Sequence, residues 1–600
     1  MEYDAEKDVY NVSVKVSNIG DYPGRSVVQV YAQTPYGVYE KQNNVEKSAI
    51  QLVGFAKTDV LGENESVTVE IPVKRYFLAS YDANNAKGYL LSAGDYYLSI
   101  GDDAHDAINN VLAKQGKSGM TDLFGNLEAG DASKVYTWNQ ADLDLSSYNE
   151  SVYGTGVEVT NRFDHVDINS YENQSYTYLS RKDWANTYPT IEKMQVELTA
   201  EMANDMDCDW YQTKDTTSDW YKDTQGAHES VSVSDFNQTT SHASDNSDVT
   251  KKFIEMKDVA FDDDEAWNAF LDQFTVSELI SLYPDNNGYA GVAALAVPAA
   301  TRGDDGTCVL QAHLKAYDTD GLAWPSQVVV SCTWNVDRYA DHGSMVAEQA
   351  IFSDCEEIWW GGGNMHQVPW GGRNMQYYSE DAVLAYYEGA AEAKALQAKG
   401  VAYSIKHMAL NDTEAHREST ATFCNEQAVR EIYLRSFEGT MIEGGGMGCM
   451  MGFNRMGLKF CPTDYNLMTK VVRQEWGWKG HFTTDADSGI AVKDHYLEQL
   501  IAGIDYTCWE QTAGPAAITS AINGGDGYIL QQMRRAAKYT LYVDLHTISV
   551  NGLSANTRMI SVTPAWQIAV IAADVCVGLG AVVCLALYAV SAFGKKRAEA

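Results

Sequence analysis

Two groups of residues in this chain have the makings of chemistry: Lys406-His407, and Asp485 with Asp487 two positions on. Each ends a short apolar run, Val401-Ala-Tyr-Ser-Ile before the first and His481-Phe-Thr-Thr before the second. A third run, Gly448-Cys-Met-Met-Gly, ends in Phe453-Asn454-Arg455. A carboxylate kept ionised on a rigid strand end can attack an anomeric carbon while a second carboxyl group protonates the leaving oxygen, which is retaining glycoside hydrolysis. An acidic acceptor beside a cationic donor can hold a vicinal diol and discriminate well when buried. Asp485 fits the nucleophile, and Asp487 would point differently if the strand continued. No HExxH-type spacing occurs, so no metal or organic cofactor is implied, and this chemistry requires none.

These residues must be positioned by alternating strands and helices. Between the first and second runs, Ala428, Val429, Ile432, Phe437 and Met441 recur at helical spacing, Asn425 can cap the start and Gly444 to Gly446 can end it. Strand–helix alternation predicts a parallel β/α architecture, and in a (β/α)8 barrel the chemistry sits at the C-terminal strand ends. The alternation covers 258–545. Residues 1–115 read instead as an all-β sandwich: Tyr10, Val12, Val14 and Val16 alternate with polar residues, as do Val67, Val69, Ile71 and Val73. Between them, 116–257 is rich in Asp, Asn, Ser, Thr and Tyr and reads as an irregular connector wrapping the next domain.

Six hundred residues with net charge −38 suit two or three domains. Lys and Arg are too few and dispersed for a phosphate-binding surface, which argues against nucleic acid as a partner. The 14 Trp and 37 Tyr can stack on sugar rings, although core and interface packing is the simpler reading of any single ring. Ten cysteines without a CxxC pair support neither a zinc site nor a disulfide scaffold. After a tether at 546–565, a span at 566–594 carries no charge from Val575 to Phe593, and Lys595-Lys596-Arg597 follow in the tail 595–600. This predicts one transmembrane helix, the basic end in the cytoplasm and the bulk of the chain outside the cell membrane. Asp574 is tolerable if the span starts after it. The first residues lack a basic and an apolar segment, so an exported chain implies that something precedes Met1 and that the sequence is a fragment.

Several ordered motifs resemble glycoside hydrolase family 3, the β-glucosidase-like enzymes. Glu475-Trp-Gly-Trp-Lys-Gly-His-Phe-Thr-Thr-Asp485 is similar to its nucleophile segment. Ile405-Lys406-His407-Met-Ala-Leu-Asn411-Asp-Thr-Glu414-Ala-His-Arg417 is similar to its sugar-binding strand and loop. Asn364-Met-His366-Gln-Val-Pro-Trp-Gly-Gly-Arg373-Asn374 through Ser379-Glu380-Asp381 is similar to its Gly-Arg-Asn…Ser-Glu-Asp block. Asp305-Gly306 and Thr333-Trp-Asn335 match earlier landmarks. The N-terminal sandwich resembles the family's fibronectin type III-like domain, which places the chain with the reversed domain order, lacking the α/β sandwich domain that would precede it.

The resemblance implies a TIM-barrel-like catalytic domain, a β-glycoside substrate and a retaining reaction. It makes Asp485 the nucleophile and Asp305, Lys406 and His407 the residues that hold sugar hydroxyls; Arg373, Asn374, Glu380 and Asp381 brace the structure near the site. Two positions depart from the family pattern. Gln367 stands where Arg is usual, removing a charged bidentate contact, and Phe453 stands where many members have Tyr. The general acid/base, which many members take from the absent domain, is unassigned; His416 is the candidate within the chain. The alternative reading is a non-catalytic carbohydrate-binding or remnant protein.

Overall fold

The structure is a computed structural model that describes residues 1–184, 196–283, 288–303, 321–366, 371–418, 420–486, 495–508, 512–559 and 563–594. The N-terminal region is a two-sheet sandwich. β1 (Val9–Ser17), β2 (Val27–Gln33), β3 (Gln51–Lys57), β4 (Ser66–Lys74) and β5 (Gly94–Gly101) are its principal strands. β1 pairs antiparallel with β4 from Val9–Lys74 to Ser17–Ser66, and β2 lies between β3 and β5. The alternation explains the register: Val12, Ile71 and Val73 turn into the core while Ser13, Lys15 and Ser17 face solvent.

The sandwich runs beyond residue 115. β6 (Val135–Gln140), in the stretch expected to be irregular connector, adds to the free edge of β5. Its pairing places Trp138 opposite Tyr96, and the two rings stack at 5.0 Å and 15°. One short strand inside a long polar stretch carries too little periodicity to stand out, and the cross-strand aromatic pair supplies the stabilisation. The rest of the connector lies against the second domain. His165 Nε2 is 2.8 Å from Asp464 Oδ2, Trp220 Nε1–H donates to the Tyr528 hydroxyl, and the Glu426 carboxylate accepts the backbone N–H groups of Arg162 and Phe163.

The second domain is built on five parallel strands in sequential order, β7 (Glu357–Gly362), β8 (Ala402–Met408), β9 (Gly448–Met451), β10 (His481–Ala486) and β11 (Ile504–Cys508). Nearly every residue of these strands is buried, as parallel strands covered on both faces require. A single parallel bridge, Arg302 to Glu357, continues the sheet beyond β7. Among the described residues this parallel sheet has five strands, where the alternation and the resemblance led to an eight-stranded closed barrel.

The covering helices include α1 (Val336–Phe352), α2 (Ala382–Gln397), α3 (Tyr496–Ala502), α4 (Ala513–Asn523) and α5 (Gly527–Asp544), with a helical stretch over 426–443 between β8 and β9. Asn425 caps that stretch by accepting from Ala428 N–H at 2.9 Å, as its position in the sequence indicates. Its Val429, Phe437 and Met441 are buried, and Ile432 is 41% exposed.

The two domains share a packed contact. Phe77 of the sandwich meets Tyr386 of α2 edge-on at 5.2 Å, Tyr81 N–H donates to Glu431 Oε1 at 2.6 Å, and the Gln427 amide pairs with the backbone of Glu46.

At the N-terminal ends of the sheet strands lies a buried charged network. Glu357 Oε2 accepts from Tyr506 at 2.9 Å and sits 2.9 Å from His481 Nε2 and 3.5 Å from Arg302 Nε. Arg302 Nη2 donates to both oxygens of Asp544 at 2.7 and 2.8 Å. Charges this deep persist only as satisfied pairs.

α6 (Ala565–Gly594) stands apart from the rest. Residues Ala565–Ala592 have mean hydropathy 2.5, long and apolar enough to cross a membrane, and their side chains are uncovered by the rest of the chain.

Candidate active site

Asp485 is the fifth residue of β10, one position from its C-terminal end. β10 is fixed on both sides, by β9 through Cys449–Phe482 and Met450–Thr483 and by β11 through Thr483–Tyr506 and Ala486–Cys508. Asp485 Oδ1 accepts from Ala486 N–H at 2.7 Å. Oδ2 is buried with no hydrogen-bond donor among the described residues, and His407 Nε2 lies 3.4 Å from it. Burial pushes the carboxyl up to about 6, against the Ala486 N–H and the cations Arg417, Lys406 and Arg373, which pull it down.

Lys406 and His407 close β8 and are buried. Asn364, on the loop after β7, holds the His407 backbone from both sides: its Nδ2 donates to His407 O and its Oδ1 accepts from His407 N–H, each at 2.9 Å. Arg373 Nη1 lies 3.1 Å from His407 Nε2. A guanidinium only donates, so Nε2 accepts and the ring is the neutral form with its proton on Nδ1. Burial first, then Arg373, Lys406 and Arg417, hold the imidazolium well below its usual range, in agreement with that protonation.

The loops after β7 and β8 are laced together over this point. Met365 N–H donates to Asp412 Oδ1 at 2.7 Å and the Tyr377 hydroxyl donates to Asn411 O at 2.9 Å. Glu414 lies 3.1 Å from Arg373 Nε through one oxygen and 3.1 Å from Arg417 Nη1 through the other. The Arg417 guanidinium carbon lies 4.6 Å from the centroid of the buried Phe453 ring.

The structure therefore brings Asp485, His407, Lys406, Phe453 and Arg373 into one neighbourhood. Arg373, expected to brace, reaches the site itself through His407. Its companions in that motif do other things: Asp381 caps α2 by accepting from Val383 and Leu384 N–H, Glu380 is exposed, and Asn374 is half-buried with its N–H donating to Gly371 O. His416 is exposed, with left-handed backbone (φ 55) and its carbonyl accepting from Thr420. Asp305, Gln367 and Asp487 lie outside the described residues. Asn364, Glu414 and Arg417 are the positions that the sequence reading gave no role; opposite charges three apart just after a strand end are the signal for the last two. Among the described residues no group of three or more His, Cys, Asp or Glu could hold a metal.

Comparison with known proteins accords with this arrangement. Residues 315–535 match the glycosyl hydrolase family 3 N-terminal domain and residues 26–104 match the fibronectin type III-like domain. The chain is 26% identical over 529 residues to β-glucosidase A of Butyrivibrio fibrisolvens, covering 83% of this chain and 55% of that protein. It is 25% identical over 549 residues to a β-glucosidase of Ruminococcus albus, covering 88% and 49%. The fold resembles the crystal structure of a β-glucosidase from Paenibacillus barengoltzii, with TM-score 0.63 and 19% identity over 93% of this chain and 55% of that one. The chain spans about half the length of the curated relatives it matches. The site motifs on consecutive parallel strands thus fall within or beside a match to the N-terminal domain of glycosyl hydrolase family 3, with a fibronectin type III-like domain ahead of it, and the chain is similar to β-glucosidases.

Proposed function

We propose that the chain acts as a retaining glycoside hydrolase on β-glucosides or similar β-linked oligosaccharide ends, with Asp485 as the nucleophile. The observation that carries the reading is the Asp485 carboxylate itself: buried at a strand end, fixed through Oδ1, and with the neutral His407 ring 3.4 Å from Oδ2. In this reading Oδ2 attacks the anomeric carbon, and the bond to the leaving oxygen breaks as a covalent glycosyl ester forms. Lys406, Arg373 and the His407 ring hold hydroxyls of the same sugar, with Asp305 the acidic partner carried over from the family. Water then releases the sugar with retained configuration. α6 anchors the protein in a membrane, with the basic tail on the cytoplasmic side and the bulk of the chain outside.

One observation favours a second reading, carbohydrate binding without turnover. Both Glu414 oxygens are engaged by guanidiniums, and His416 is exposed to solvent, so neither is an evident general acid. Covalent trapping separates the two. The protein is incubated with 2-deoxy-2-fluoro-β-glucosyl fluoride and its xylosyl analogue, and adducts are mapped by mass spectrometry. A sugar on Asp485 supports the hydrolase; folded protein unlabelled by both reagents supports binding alone.

A further inference from the structure

Four aromatic rings line one open side of the N-terminal sandwich, in the other domain from Asp485. Residues Glu2–Asp4 form a short strand that pairs antiparallel with β1 and makes the edge of its sheet, while β6 makes the edge of the opposite sheet. Pairing sets Tyr3 opposite Tyr10 on the first edge, and alternation puts Tyr136 and Trp138 on one face of the second. The rings meet across the gap. Tyr3 lies 5.0 Å from Tyr10, Tyr10 4.9 Å from Trp138, and Trp138 6.1 Å from Tyr136, centroid to centroid, with neighbouring planes tilted by 39–43°.

This run is not sandwich core. Tyr3 and Tyr136 are 42% and 47% exposed, and Tyr10 and Trp138 are half-buried. Nor does it seal the sheets: a cavity of about 200 Å³ remains between them beside Tyr136, walled by Val12, Val30 and Leu98. Trp138 is already held by stacking on Tyr96, so packing alone does not call for exposed rings on either side of it.

The surroundings restrict what can cover these rings. The Tyr3 hydroxyl donates to Asp8 Oδ1 at 2.6 Å; Asp8 also accepts from Tyr148 and lies 3.7 Å from Arg75 Nη1. The Asp8 and Arg75 side chains are 38% and 20% exposed, so a carboxylate and a guanidinium stand together at the end of the aromatic run. An apolar protein surface laid here would bury those groups without new partners, which is costly. A chain of net charge −38 repels anionic polymers and anionic lipid surfaces. A neutral polyhydroxylated ligand meets both conditions: the C–H faces of its sugar rings lie on the aromatics, and its hydroxyls reach the polar end. A row of rings suits several sugar units in line.

We propose that the sandwich carries a second carbohydrate site, in which Tyr3, Tyr10, Trp138 and Tyr136 hold a stretch of neutral β-linked oligosaccharide or polysaccharide. The proposal rests on the carbohydrate reading of the candidate active site but not on turnover there. A polysaccharide held this way keeps its chain ends at high effective concentration for the cleft that acts on them.

The test uses the full chain in detergent, run in native gels cast with soluble mixed-linkage β-glucan, laminarin or xylan, with α-linked dextran as the control. Retardation is measured before and after treatment with the two fluoro-sugar fluorides. The unaltered chain is expected to be slowed by at least one β-linked polymer, whether or not Asp485 is labelled. Tyr3→Ala and Tyr136→Ala should each weaken the interaction about tenfold, the scale of one aromatic contact. Tyr136→Phe keeps the ring face and should keep the interaction. Both tyrosines are exposed, and circular dichroism checks the fold of each variant. Labelling of Asp485 and hydrolysis of a small aryl β-glucoside should be the same in all three variants as in the unaltered chain. Retardation unmoved by both alanine substitutions overturns the proposal, and its loss on labelling would place the glycan in the catalytic cleft instead. No retardation of the unaltered chain by any of the β-linked polymers overturns it as well. Retardation lost in the alanine variants, with no label on Asp485, upholds the second site and removes the hydrolase reading.

Discussion

His407 presents Nε2 to Asp485 Oδ2 at 3.4 Å, yet that nitrogen already accepts from Arg373. The histidine therefore has no proton to give the carboxylate on that side, and among the described residues no donor reaches Asp485 Oδ2. Removing the guanidinium frees Nε2 to carry the proton and turn it on Asp485. Arg373→Met is expected to lower kcat/KM by about 10–100-fold, the scale of one or two charge-assisted hydrogen bonds. Arg373→Lys should recover little, because a point charge cannot serve His407 and Glu414 together. The 15N shifts of the His407 ring provide the check, Nε2 moving from unprotonated to protonated in the Met variant.

Burial pushes the Asp485 carboxyl up to about 6, so activity is expected to rise with pH through about 6 as the proposed nucleophile ionises. Stability runs the other way. Folding takes up a proton between about 4 and 6, so stability is lost as pH rises across that interval and stays lost above it. Asp485→Asn abolishes covalent labelling and lowers hydrolysis by about a thousandfold or more. At pH 7 it is expected to melt higher than the unaltered chain, a pairing of lost function with gained stability that calorimetry and kinetics together would show.

Glu388 gives a second pH signature, away from the site. It is buried in α2, accepts from Ser331 Oγ at 2.6 Å, and is pushed up to about 8, chiefly by burial. The unfolded chain ionises at the ordinary carboxyl pH, so the folded chain loses stability as pH rises from about 4.5 to 8. Glu388→Gln keeps the acceptor and removes the titration. Its advantage should be absent at pH 4, grow to on the order of 5 kcal/mol by pH 8 and then level off, measured by urea titration at each pH.

Gly372→Ala tests the lacing of the two loops. The added methyl would meet the Glu414 side chain at 2.6–2.8 Å, so one loop must move. Global stability should fall by only about 1–3 kcal/mol, as for overpacking. The Arg373 and Glu414 contacts open, and kcat/KM is expected to fall at least about tenfold.

Deleting residues 565–600 should convert a protein that stays with membranes through carbonate washing into one found in the supernatant, with the pH profile of labelling unchanged. Retention of the shortened protein on membranes would show that another surface holds it there.

Much of this was legible before any coordinates. The apolar runs at 401–407, 448–455 and 481–487 mark three of the five parallel strands, because strands buried on both faces read as unbroken apolar stretches. Lys406, His407 and Asp485 stand out because charged residues at the ends of such runs are otherwise costly to bury. β6 did not stand out, since its six residues take their stability from Tyr96 across the pair. The resemblance implies a brace for Arg373, and sequence does not distinguish a side chain that ends a loop from one that crosses it to His407. Glu414 and Arg417 had no role of their own in the sequence, because their partners Arg373 and Phe453 lie tens of residues away in the chain.

β10 begins with His481 in the charged network at one end of the sheet and carries Asp485 at the other, four residues on, or about 13 Å along an extended strand. The strand is thus a short rigid beam clamped at its foot by Glu357, Arg302 and Asp544. Sequence change at the mouth can retune substrate preference while the foot sets the melting temperature, and change at the foot can trade heat tolerance without rewriting specificity. A lineage adapting to a new sugar and a lineage adapting to a new temperature would draw on opposite ends of the same six residues.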